Sequence, residues 1–172
     1  LLRLELRVMK ELKSRHAKHY CTLIDHGKKE HFRYVVMKIV GASLQEVKKL
    51  GPNQHMSTGC ALSVSRQCLE AIRELHDAGF LHRDIKPGNF CVGRPEHNEL
   101  RHVVILDFGL CKSLPKAIPT SGGGSSMYST KTEERAKGAF RGTPRYAPLA
   151  SHRLEVRTIS TAFDSQPTAF KY

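Results

Sequence analysis

The sequence predicts an α+β fold, and three observations carry that prediction. Residues 1–12 and 58–78 space their apolar side chains as amphipathic helices do, the longer stretch being the best helix in the chain. Runs at 20–25, 32–40, 90–92 and 102–106 are rich in aromatic and β-branched residues, the composition of short strands. Gly, Pro and polar clusters separate these runs and keep each element short. With 172 residues, 40% hydrophobic and 26% charged, the chain suits one globular domain or part of one.

Taken in order, the first helix sets Leu2, Leu6, Met9 and Leu12 on one buried stripe; Glu5 lies only partly opposite Met9, so a cleft-facing position is open to it, but from this segment alone it reads as a solvated helix charge. Residues 20–25 and 32–40 flank the polar 26–31 and read as a hairpin. Gly41 breaks the second strand, Ser43 is placed to N-cap a short helix through Leu50, and Gly51-Pro52 stops it. In the helix over 58–78, Leu62, Leu69, Ile72 and Leu75 are expected on one face with Ala61, Cys68 and Ala71, ended by Gly79. Cys60 and Cys68, two turns apart, are expected to be buried as small hydrophobes. Phe90-Cys91-Val92 and the strand at 102–106 form a hairpin around the polar excursion 93–101. Residues 110–138 turn to Gly, Ser, Thr and Lys, and 120–126 are expected to be their most flexible part. The tail from 154 to 172 shows no usable period.

The chemistry lies at the hairpin's two open ends. His82-Arg83-Asp84-Ile85-Lys86-Pro87-Gly88-Asn89 precedes its first strand, and Asp107-Phe108-Gly109 follows its second. The hairpin therefore brings Asn89 and Asp107 to one cleft. A base and two hard oxygen ligands are what metal-assisted phosphoryl transfer needs, because a dispersed negative charge must be neutralised while an acceptor hydroxyl is aligned. In that scheme Asp84 accepts the hydrogen bond of the acceptor hydroxyl, Lys86 reaches the transferred phosphate, and Asn89 and Asp107 hold Mg²⁺. Gly109 lets the chain turn after the metal ligand, and Phe108 packs against the helix bearing Glu5.

Composition narrows the alternatives. The net charge of +12 has no block of five or six consecutive basic residues and no interleaved aromatics, so a solvated basic surface or an acidic or phosphorylated substrate is expected, and nucleic acid is not. Five scattered cysteines, never in a C-x-x-C pair, argue against structural disulfides and a zinc site, and the ten histidines are dispersed too. Without a long apolar run or a signal-peptide pattern, an intracellular protein, cytoplasmic or nuclear, with no membrane partner is expected. A first residue other than methionine suggests a longer reading frame.

Residues 80–87 with Asn89-Phe90, and Leu106-Asp107-Phe108-Gly109-Leu110, resemble the casein kinase 1 superfamily of protein kinases, and its tau-tubulin kinase-like branch in particular. Tyr34-Val35-Val36-Met37 with Gly41 and Leu44, and Phe140-Arg141-Gly142-Thr143 with Arg145-Tyr146-Ala147, support the resemblance. It implies an incomplete protein kinase-like fold: a partial N-lobe over 1–40, the hinge and a partial C-lobe over 41–153, and an unassigned tail over 154–172. It implies serine/threonine kinase activity with ATP and Mg²⁺, acting on protein substrates that are acidic or already phosphorylated. Carried over residue by residue, Glu5 matches the helix C glutamate, Met37 the gatekeeper and Val40 the adenine-binding hinge. Thr143 matches the threonine around the catalytic Asp and Lys, and Arg145 one arginine of the substrate anion site. The family's glycine-rich loop and its ATP-contacting lysine belong upstream of Leu1, so this sequence holds no ion-pair partner for Glu5. Pro148-Leu149-Ala150 departs from the family's Ser, apolar residue and Asn. A truncated pseudokinase or binding module without catalysis is the alternative these departures raise.

Overall fold

The computed structural model describes residues 2–114 and 142–152. The chain divides into two compact units, Leu1–Leu114 and Pro115–Tyr172.

In the first unit, helix α1 (Leu2–Ser14) buries Val8, Met9 and Leu12, with Leu4 and Leu6 packed against the same core. Strands β1 (Leu23–Lys28) and β2 (Arg33–Met37) pair antiparallel as the expected hairpin, but β1 is shifted toward the turn and β2 covers only part of its run. The polar His26-Gly27-Lys28 joins β1 because Gly27 leaves room for the Tyr34 ring: a Cβ there would stand 2.6 Å from it. The Tyr34 hydroxyl then donates to Asp25 at 3.3 Å. At the other end β2 stops at Met37, and residues 38–40 lie outside it.

Helix α2 (Leu44–Leu50) begins where Ser43 predicts. The Ser43 hydroxyl accepts from the Glu46 N–H while the Glu46 carboxylate accepts from the Ser43 N–H, a complete capping box. Helix α3 (Thr58–Asp77) follows, capped by Ser57, and Gly79 turns the chain after it at φ 84. Its buried face differs from expectation. Gln67, Ala71 and Leu75 are buried, Val64, Cys68 and Ile72 pack beside them, and Leu62 and Leu69 are 67% and 60% exposed. Gln67 displaces leucine from that face because its amide donates to Arg101 O at 2.9 Å and accepts from Val103 N–H at 2.9 Å. Cys60 is exposed rather than buried, and Cys68 is half-buried.

Strand β3 (Phe80–Leu81) pairs with β6 (Lys112–Ser113), and β4 (Phe90–Val92) with β5 (Val103–Ile105). Both pairs are antiparallel, and β3–β6 was not expected from the sequence. A parallel bridge from Tyr20 to Ile105 and a bond from Ile105 N–H to His19 O tie the chain ahead of β1 to β5. The core centres on Met9, Leu12, Leu75, Ile105 and Phe108, each almost fully buried. Phe108 packs under α1, as the motif requires.

In the second unit, a 3₁₀ turn at Pro144–Tyr146 precedes α4 (Leu149–His152). The flexible stretch expected at 120–126, Phe140-Arg141, and the tail 154–172 lie outside the described residues. Among the described residues no helix is long and apolar enough to cross a membrane.

Candidate active site

The site is assembled by one hairpin and the loop that enters it. Asp84 follows β3, and Asn89 ends the 3₁₀ turn Pro87–Asn89 immediately before β4. Asp107 comes just after β5. The Leu106 N–H donates to Asn89 O at 2.8 Å, extending the β4–β5 ladder by one rung toward the site. Asn89 and Asp107 therefore flank the open end of the same hairpin.

Asp84 is the hub. Its carboxylate Oδ2 receives Lys86 Nζ at 2.6 Å and Asn89 Nδ2 at 3.2 Å, and Asn89 Nδ2 also donates to Asp84 O at 2.8 Å. Asp84 and Asn89 are both buried. A buried carboxylate held by these donors is fixed in direction, which is what an orienting base needs.

Asp107 adopts a left-handed backbone at φ 63, and its carboxylate accepts from Gly109 N–H at 3.3 Å. The turn closes through Cys111 N–H to Phe108 O at 3.1 Å and brings Phe108 into the core. Glu5 of α1 lies beside this turn, where the Phe108 backbone partly offsets the rise in its pKa. Partial burial, and then the nearby Asp107 charge, raise the Glu5 carboxyl above its usual range. Glu5 thus faces the cleft rather than solvent.

Two neighbours of Asp84 hold the loop, and the sequence reading gave neither a role. His82 is buried, its Nε2 against Leu106 O at 2.9 Å and its Nδ1 against Asp84 N–H at 3.3 Å. Its ring meets Phe108 edge-on at 5.9 Å. Arg83, at φ 68, donates from Nε to Leu110 O at 2.6 Å and so ties the loop to the turn after Asp107. The buried pairing of a histidine with backbone groups on both ring nitrogens is a long-range fact that sequence spacing does not carry.

The remaining candidates lie at two other places. Met37 ends β2 and is 42% exposed, and Val40 stands three residues further, half-buried. Thr143 and Arg145 belong to the second unit, where Thr143 precedes the 3₁₀ turn and Arg145 lies over the Tyr146 ring at 6.0 Å.

The donor set fits Mg²⁺. With its amide nitrogen committed to Asp84, Asn89 presents its side-chain oxygen elsewhere, and Asp107 keeps one carboxylate oxygen beyond the Gly109 bond. Mg²⁺ is commonly held by one or two carboxylates together with phosphate and water, so the Asp107 carboxylate with the neutral Asn89 amide oxygen suffices.

Comparison with known proteins agrees with this geometry. The protein kinase domain family matches residues 2–148. An inferred serine/threonine-protein kinase of Caenorhabditis elegans is 35% identical over 153 residues, covering 88% of this chain and 41% of the relative. An inferred serine/threonine-protein kinase of Dictyostelium discoideum is 32% identical over 153 residues, 88% of this chain and 28% of the relative. An inferred casein kinase I of Caenorhabditis elegans is 29% identical over 161 residues, 89% of this chain and 42% of the relative. The chain thus spans less than half the length of these curated relatives.

Proposed function

The chain belongs to the protein kinase domain family, and from that premise we propose that it supplies the metal- and substrate-holding half of a serine/threonine kinase active site. One observation carries the reading: Asp84 and Asn89, both buried, and the partly buried Lys86 form a single network, and β4–β5 brings Asp107 to the same end of the hairpin. Bound ATP and Mg²⁺ would supply the phosphoryl group and the charge neutralisation that Asn89 and Asp107 are placed to share. Asp84 accepts the hydroxyl hydrogen of a serine or threonine and aims its oxygen. Lys86, held on Asp84, offers positive charge to the oxygens of the transferring group.

The casein kinase 1 reading, in its tau-tubulin kinase-like branch, is supported by the motif residues at 80–90 and 106–110 and by the casein kinase I relative. In that reading Met37 and Val40 border the adenine, and Arg145 takes an acidic or phosphorylated group of the protein substrate. The exposure of Arg145 beside Tyr146 suits this role. Five free thiols, three of them buried, suit an intracellular, reducing compartment.

The test is a full-length protein assayed for transfer of the ATP γ-phosphate to acidic and neutral serine peptides. Asp84→Asn is expected to cost roughly a hundred- to ten-thousand-fold in kcat, and Arg145→Gln to remove the preference for the acidic peptide. No transfer by the unmutated protein would refute the catalytic reading. Stabilisation by Mg-ATP without transfer would leave a nucleotide-binding module.

A further inference from the structure

The stretch from Lys38 to Gly41, which joins β2 to α2, is fastened at both ends. Lys38 is held at three points. Its N–H donates to Thr22 O at 2.9 Å, its carbonyl accepts from the Cys21 thiol at 3.0 Å, and its Nζ donates to both oxygens of Glu99 at 2.7 and 2.9 Å. At the far end, Gly41 N–H donates to Val92 O at 2.8 Å and Val92 N–H returns a bond to Ala42 O at 3.0 Å. Only Ile39 and Val40 span the interval between these anchors.

Both anchors sit on one element. Val92 ends β4, Glu99 lies in the turn between β4 and β5, and the hairpin's opposite end carries Asn89 and Asp107. The backbones there touch directly. A Cβ on Gly41 would stand 2.7 Å from Gly93 O, and a Cβ on Gly93 would stand 2.6 Å from Glu99 O. Glycine at both positions lets the joining stretch lie against the turn, within reach of a lysine ammonium. The hydrogen bond from Lys38, first among its causes, lowers the Glu99 carboxyl below its usual range, so the pair is ionic at neutral pH.

We propose that the Lys38–Glu99 ion pair is a positioning device for the nucleotide. It pins residues 38–41 to the metal-binding hairpin, so that the backbone at Val40 is pre-set relative to Asn89 and Asp107. The inference rests on the kinase reading of the site, in which Val40 borders the adenine. A nucleotide spans the distance from that edge to the metal end. Fixing the two ends against each other before binding removes an ordering cost that the nucleotide would otherwise meet. Because the two side chains are 36% and 35% exposed, the effect is that of a modest pair, roughly two- to five-fold in affinity.

The experiment uses the full-length protein and reads the Kd for Mg-ATP by calorimetry, with KM for ATP, kcat and Tm alongside. Lys38→Met and Glu99→Gln are each expected to raise Kd and KM about two- to five-fold, leaving kcat within about a factor of two. The double exchange of Lys38→Glu with Glu99→Lys is expected to restore both. Unchanged Kd in the single variants, failure of the exchange to restore it, or a fall in Tm and kcat without a change in Kd would each overturn the proposal. An unmutated protein that binds no Mg-ATP would overturn the kinase reading and this inference together. A binding protein indifferent to the substitutions overturns the positioning role alone.

Discussion

His82 sits between a carbonyl and an N–H, and its protonation follows from them. Leu106 O requires a donor and the Asp84 N–H requires an acceptor, so the ring carries its proton on Nε2 and leaves Nδ1 bare. That neutral form is also what burial favours, and burial is the largest cause lowering the His82 pKa from 6.5. As pH falls, the unfolded chain takes up this proton first. The stabilisation is therefore complete above about 6.5 and is lost as pH drops through the lowered folded value. Imidazole NMR of the full-length protein should find His82 titrating below 6.5 with Nε2 protonated above that midpoint. A midpoint at or above 6.5 would contradict the assignment. The consequence for function is direct, because the bond from Asp84 N–H to His82 fixes the backbone that aims the Asp84 carboxylate.

At the scale of elements, legibility divides by range. The start of α2 was readable because Ser43 and Glu46 are three apart and cap each other locally; the same locality makes the contribution testable. Ser43→Ala removes the acceptor for Glu46 N–H and is expected to cost about 1 kcal/mol, seen as a lower Tm with an unchanged denaturant slope. A variant as stable as the parent would show that the cap bond is replaced by water. The β4–β5 hairpin was readable too, since Asn89 and Asp107 flank two short strands joined by a polar turn. The face of α3 was not. Ala61, Leu62, Val64, Cys68, Leu69, Ala71, Ile72 and Leu75 spread around more than one side of the helix, and periodicity cannot choose among sides. The choice is made by Gln67, whose two bonds reach Arg101 and Val103 across the fold. The same limit hid the β3–β6 pair and the Lys38–Glu99 pair, separated by 61 residues.

For the molecule as a whole, the active-site half is closed and the surfaces around it are open. Asp84, Asn89, His82 and Phe108 are buried within a core that reaches from α1 to β5. Around that core, Ile24, Phe32 and Ile39 stand exposed near the first hairpin, and Leu62 and Leu69 on α3. Among the described residues of the first unit, these five and Leu50 on α2 are at least 60% exposed, more than scattered surface hydrophobes account for. The 172-residue polypeptide alone is therefore expected to bind a hydrophobic dye, to self-associate at micromolar concentration, and to melt without a sharp transition. The full-length protein should show none of these. A dye-silent, monomeric, cooperatively melting 172-residue chain would refute this expectation and show the half-site to be a folded unit in its own right.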